Sequence, residues 1–136
     1  MIQLVYISTM RRPMTATDLS DILAASRANN RRDGITGLLV AGSNRFLQLL
    51  EGPAVDVRAA FDRIRRDDRH FATVVLSDRA VGERQCPHWA MGHLPAGSAS
   101  ADGDLRTVVE SLVAPIADRD LRAQFTGFAE VQTTAA

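Results

Sequence analysis

The chain has no lysine; all 16 of its basic residues are arginine. That removes Schiff-base chemistry, a P-loop lysine and a lysine general base from the candidate activities. A biased base composition of the gene is sufficient cause for the absence. There is one cysteine, Cys86, so no internal disulfide can form, and a reducing compartment is the simplest reading. His70, His88 and His93 lack metal-ligand spacing and have no cysteine cluster beside them, so no metal site is expected. The 16 acidic residues cancel the arginines, and zero net charge draws the chain toward neither nucleic acid nor an anionic membrane. No apolar run approaches the roughly 20 residues of a membrane span, and no basic segment with a cleavage site precedes the first strand. A cytoplasmic protein is expected, without nucleic-acid or membrane partners. No GxGxxG, P-loop or Gly-x-Ser-x-Gly elbow is present.

What is present reads as one domain of 136 residues, long enough for a core. Ile2 to Ser8 alternates as a strand, with Leu4, Tyr6 and Ser8 on one face. Thr15 followed by Asp18 forms a capping-box pattern that opens a helix, and Asp33-Gly34 closes it. Ile35 to Ala41 and Arg45 to Glu51 read as strands joined by a hairpin at Gly42-Ser43-Asn44. Pro53 opens a second helix whose apolar stripe is Val57, Ala60, Phe61 and Ile64. Phe71 to Ser77 reads as a fourth strand and Arg84 to Gly92 as a fifth, with Pro87 implying an edge or a bulge. The order predicts an α+β, ferredoxin-like β-α-β-β-α-β core with a fifth strand and C-terminal capping helices. The first and third strands are expected to be central neighbours running parallel, which brings Tyr6 near Gln48.

Residues 1–95 form the expected core domain, and 96–136 a linker with a helical cap. Pro95 to Asp104 is rich in glycine, serine and alanine. Leu105, Val108, Val109, Leu112 and Val113 make an amphipathic helix that Pro115 interrupts. A shorter helix carries Leu121 and Phe125, and Gln132 to Ala136 look frayed. Apolar residues on both sheet faces require cover beyond two helices, supplied by the C-terminal helices of this chain or of a partner.

Several polar residues sit poorly in a plain core. Gln48 lies among Phe46, Leu47, Leu49 and Leu50 and needs hydrogen-bond partners if buried. Tyr6 is the only tyrosine and lies mid-strand. Each alone is best read as a satisfied core residue; on adjacent strands they form a network with donor and acceptor capacity to spare. Ser26, Asn29 and Asn30 turn the end of an apolar helix face polar, either as fraying or as a ligand edge. Arg63 and Asp67, four apart, are either a surface ion pair or ligand contacts from the opposite helix. Trp89 and Met91 share a strand face, and Cys86 reads as a small packing residue.

Six ordered stretches resemble the BLUF family of blue-light sensors using FAD. They are Leu4-Val5-Tyr6-Ile7-Ser8, Ser26-Arg27-Ala28-Asn29-Asn30, Gly34-Ile35-Thr36-Gly37-Leu38-Leu39, Phe46-Leu47-Gln48-Leu49-Leu50-Glu51-Gly52, Asp67-Asp68-Arg69-His70 and Trp89-Ala90-Met91-Gly92. Singly none is diagnostic; the ordered set, spanning residues 1 to about 95, is specific.

The resemblance implies a non-covalent flavin between the first two helices. By that analogy Asn30 bonds the ring's polar edge with help from Asn29, and Gln48 bridges flavin and Tyr6. Arg63 and Asp67 match pyrimidine-side contacts, and Ile22 and Ser26 match pocket-lining positions. Arg27 and Arg31 are candidates for the phosphates. The implied activity is a light switch rather than an enzyme: Tyr6 exchanges an electron and a proton, Gln48 rearranges, and Trp89, Met91 and the C-terminal helices carry the signal. A short stand-alone member of this kind implies a homo-oligomer or a separate protein partner. Cys86 departs from the resemblance, because the position three before Trp89 is often aromatic, and that puts signal transmission in question. The competing readings are a light-independent ferredoxin-like ligand-binding module and an acylphosphatase-like hydrolase, whose arginine-bearing glycine-rich loop is not found.

Overall fold

The computed structural model describes residues 1–86, 92–95 and 105–134. In chain order the elements are β1 (Ile2–Met10), α1 (Ala16–Asp33), β2 (Thr36–Ala41), β3 (Arg45–Gly52), α2 (Ala54–Arg65), β4 (His70–Ala80), β5 (Gly92–Pro95), α3 (Leu105–Val113) and α4 (Arg119–Thr134). The strands form one sheet in the order β4-β1-β3-β2-β5. This is the expected α+β, ferredoxin-like core with a fifth strand and C-terminal helices.

Local chemistry sets the boundaries. The Thr15 side chain accepts from the Asp18 N–H at 3.0 Å, and the Asp18 carboxylate accepts from the Thr15 N–H at 3.0 Å. Two of the first-turn donors of α1 are thereby satisfied. Gly34 ends the helix in the left-handed region at φ 70°, where a glycine avoids the Cβ penalty. Pro53 caps α2 rather than lying in its first turn, and α2 ends at Arg65.

Three elements differ from expectation. β1 and β3 are central neighbours but run antiparallel. The α1 crossover makes β2 parallel to β1, and the hairpin returns β3 between them in the opposite sense. The fifth strand is Gly92–Pro95, paired in parallel with β2, and does not begin at Arg84. The Gln85 and Cys86 N–H groups instead bond a side chain, Glu51, so they are not free for a strand ladder. The last helix, α4, is longer than α3, and it runs on to Thr134. Pro115 separates the two, with the Ile116 N–H bonded back to Val113 O at 2.9 Å. Trp89 and Met91 lie outside the described residues.

Alternation along the strands gives the sheet two apolar faces. The front face sets Leu4, Tyr6, Leu39, Phe46 and Leu50 against Leu23 of α1 and Val57 and Ala60 of α2. The reverse face sets Val5, Leu38, Val40, Leu47 and Leu49 against Val109 and Val113 of α3 and Leu121, Phe125 and Phe128 of α4. Cover for the second face thus comes from this chain. The outer strand β4 remains exposed at Phe71, Val74, Val75 and Leu76. Arg11 lies over the Phe71 ring, 5.1 Å from its centroid. Among the described residues, no helix is long and apolar enough to cross a membrane.

Two predictions follow from this packing. A Cβ at Gly52 would lie 2.8 Å from the Gly34 carbonyl oxygen, which Arg84 already fixes by donating to it at 2.6 Å. Gly52→Ala is expected to cost about 1–3 kcal/mol in urea unfolding, and an unchanged midpoint would show that the two chain segments separate freely. Cys86 is 3% exposed, and burial followed by the Glu51 charge pushes its thiol from 9.0 up to about 12. The thiol ionises first in the unfolded chain, so its contribution to stability is complete below about pH 9 and falls away toward pH 12. Cys86→Ala should flatten the loss of stability across that window; an identical pH profile would rule this contribution out.

Candidate functional site

The front-face core stops short of the ends of α1 and α2. Between those ends and the sheet lies a cavity of about 190 Å³. Seven of the eight residues expected to hold a cofactor line it: Tyr6, Ile22, Ser26, Asn29, Gln48, Arg63 and Asp67. The eighth, Asn30, is buried at the end of α1 and is not among the lining residues. Its backbone oxygen accepts from the N–H groups of Gly34 and Ile35, tying it to the turn into β2.

Tyr6 and Gln48 occupy directly opposed positions on β1 and β3. Both side chains are buried, and the Tyr6 hydroxyl donates a short hydrogen bond to Gln48 Oε1. Burial, reinforced by the Asp67 charge, pushes the phenol well above its ordinary value of 10.0. The hydroxyl therefore keeps its proton at neutral pH and acts as donor. Gln48 Oε1 accepts that proton, and Nε2 is the donor end of its carboxamide. Phe61 packs against the phenol with ring centroids 5.3 Å apart.

The polar rim differs from a simple Arg63–Asp67 pair. Asp67 lies beyond the end of α2, so the helical four-residue spacing does not reach it. Asp67 instead accepts from the Arg69 backbone N–H at 3.0 Å and faces the Arg69 guanidinium at 3.3 Å. Arg63 approaches Asp33 of α1 at 4.0 Å. That contact links the last turn of α1 to the last turn of α2.

Leu39, Phe46, Ile64, Arg69 and His70 also line the cavity and were not singled out from the sequence as contacts. His70 is buried, with Nε2 2.6 Å from Ile64 O and Nδ1 2.7 Å from Ser8 Oγ. A carbonyl only accepts, so Nε2 donates to Ile64 O, and Nδ1 pairs with the Ser8 hydroxyl. The ring thereby ties the end of α2 to β1. The Asp-Asp-Arg-His run was the available signal, but loop residues carry no periodicity to orient them.

The donor set suits an isoalloxazine. Ile22 and Ile64 supply apolar contacts from the two helices. Gln48, Asn29 and two guanidiniums offer N–H donors for ring carbonyls, and Asp67 and the amide oxygens offer acceptors for a ring N–H.

Residues 1–92 match the family described as BLUF, sensors of blue-light using FAD. The photoactivated adenylate cyclase subunit beta of Euglena gracilis is 37% identical over 89 residues, which is 65% of this chain and 10% of that protein. The chain thus spans about a tenth of the length of the cyclase subunit it matches. The blue light- and temperature-regulated antirepressor BluF of Escherichia coli K12 is 30% identical over 82 residues, 60% of this chain and 20% of that one. Among solved structures, the BLUF protein BlrB in its dark state superposes with a TM-score of 0.72 at 28% identity, covering 98% of this chain and 94% of that one. Fold, cavity and sequence match agree, and the chain belongs to the BLUF family, the sensors of blue light using FAD.

Proposed function

We propose that light reception here works through the Tyr6–Gln48 pair, with the flavin held between the ends of α1 and α2. The observation that carries this reading is the buried phenol–carboxamide hydrogen bond in the wall of the cavity. Gln48, Asn29, Asn30, Arg63 and Asp67 hold the polar edge of the ring, and Ile22 and Ser26 contact it from α1. Arg69 joins this set because it lines the same wall. Bound flavin supplies blue-light absorption and, when excited, one-electron oxidising power.

Tyr6 is the residue suited to give up an electron. Its hydroxyl proton already points at Gln48 Oε1, so electron and proton can leave together and return. No product remains. The lasting change is in Gln48, by rotation or tautomerisation of its carboxamide, which changes what Nε2 donates to. The chain then acts as a switch rather than an enzyme. Residues 1–95 form the photosensor, and 96–136 its linker and cap. Output passes through Trp89 and Met91, and through β5, α3 and α4, to a protein partner or a second copy. The exposed apolar edge of β4 is compatible with self-association. A cytoplasmic setting accords with the free, buried cysteine.

Purified chain supplied with FAD should be yellow and bind it reversibly. Tyr6→Phe and Gln48→Leu should retain flavin and lose the light-induced red shift of its absorption. A normal photocycle in either variant would remove that residue from the mechanism. A chain that stays colourless with added FAD would sink the reading altogether.

A further inference from the structure

Behind the cavity, on the reverse face of the sheet, lies a second buried polar group. Glu51 is fully buried, three residues after Gln48 on β3 and on the opposite face. A buried carboxylate needs donors on its oxygens, and Glu51 has them. Oε1 accepts from the backbone N–H of Gln85 at 3.0 Å and of Cys86 at 2.8 Å. Oε2 accepts from Gln3 Nε2 at 3.0 Å and from the Gln85 N–H at 2.8 Å.

From there the contacts close into a ring. Gln3 is the cross-strand neighbour of both Glu51 and Arg79. Its Oε1 accepts from Arg79 Nε at 3.1 Å. Arg79 Nη2 donates to Asp118 Oδ2 in a short contact. Asp118 Oδ1 accepts from the Leu121 N–H at 3.1 Å, capping the first turn of α4. The Ala117 and Asp118 N–H groups both donate to Gln85 Oε1 at 3.1 Å. Gln85 returns to Glu51 through its backbone.

Gln85 thus holds two attachments at once. Its backbone is bound to the reverse of the flavin-side strand, and its side chain is bound to the start of α4. The segment leading toward β5 cannot move away from β3 without stripping donors from a buried carboxylate and acceptors from the α4 start together.

The geometry points to Glu51 as a positioning residue that couples β3 to the start of α4, with Gln85 and Asp118 as the link, so that rearrangement at Gln48 reaches α4 through this ring. The inference rests on the light-switch reading above and adds the route. It places the output contact on described residues 84–86 and 116–121, just ahead of the Trp89 and Met91 segment.

The test is residue-resolved amide exchange on the full chain with FAD bound, in darkness and under blue light. In the unsubstituted chain, light should speed exchange at Gln85, Cys86, Ala117, Asp118 and Leu121 together. Glu51→Gln should keep the red shift, speed dark exchange at all five amides by about tenfold, and abolish the light-dependent difference at Asp118 and Leu121. Faster exchange confined to Gln85 and Cys86 would overturn the coupling. So would an illuminated, red-shifted unsubstituted chain whose α4 amides do not respond.

If Glu51→Gln does not fold, Gln85→Ala carries the same test, because every donor to Glu51 remains. It should keep the light response at residues 85 and 86 and lose it at 117, 118 and 121. An unchanged response at those three positions would overturn the proposal. A missing red shift in the unsubstituted chain would instead count against the photochemical reading, while the dark exchange of Glu51→Gln would still decide whether the ring couples.

Discussion

The hydrogen bond from Tyr6 to Gln48 exists only because β1 and β3 are adjacent and in register. The two residues oppose each other directly, and alternation turns both side chains to the same face. A slip of one residue in either strand would send that side chain to the reverse face, among Val5, Leu47 and Leu49. The capping box of α1, the hairpin and the two apolar faces all serve to hold that register. Burial then gives the bond its character. It keeps the phenol protonated and makes Gln48 an obligatory partner, so any change at the carboxamide must be met by a change in its surroundings.

β3 carries different chemistry on its two sides. Phe46, Gln48 and Leu50 face the cavity and the first two helices, whereas Leu47, Leu49 and Glu51 face α3 and α4. The strand is therefore the shortest physical connection between the cavity wall and the C-terminal helices. A reverse face that was wholly apolar would transmit only packing changes. A buried carboxylate with discrete donors makes that contact directional and couples it to a loop.

Much of this was legible in the sequence because it depends on short-range rules. Thr15 with Asp18 marked the start of α1, Gly34 its end, period-two alternation placed Tyr6 and Gln48 on strands, and the β-α-β-β-α-β order made those strands neighbours. The orientation of β3 against β1 was misread; crossover handedness and hairpin return decide it, not the residues of either strand. The fifth strand was misplaced for a different reason. Arg84 to Cys86 have strand-like neighbours, but the N–H groups of Gln85 and Cys86 are claimed by Glu51, a side chain 34 residues away from Gln85 in sequence. Arg69 and His70 stood within a motif already noted, yet only the fold shows that they line the cavity. Gln3 and Glu51 were not singled out from the sequence, because their pairing depends on the register of β1 against β3.

Because Tyr6 is the chain's only tyrosine, it can be labelled without ambiguity. The central claim is that light acts on the Tyr6–Gln48 hydrogen bond. The direct measurement is the light-minus-dark infrared difference spectrum of the flavin-loaded chain, with and without ring-¹³C tyrosine. An isotope-sensitive band in the phenol C–O region, appearing with the flavin signal and decaying with it, is the predicted result. Flavin difference bands with no tyrosine isotope effect would contradict the account.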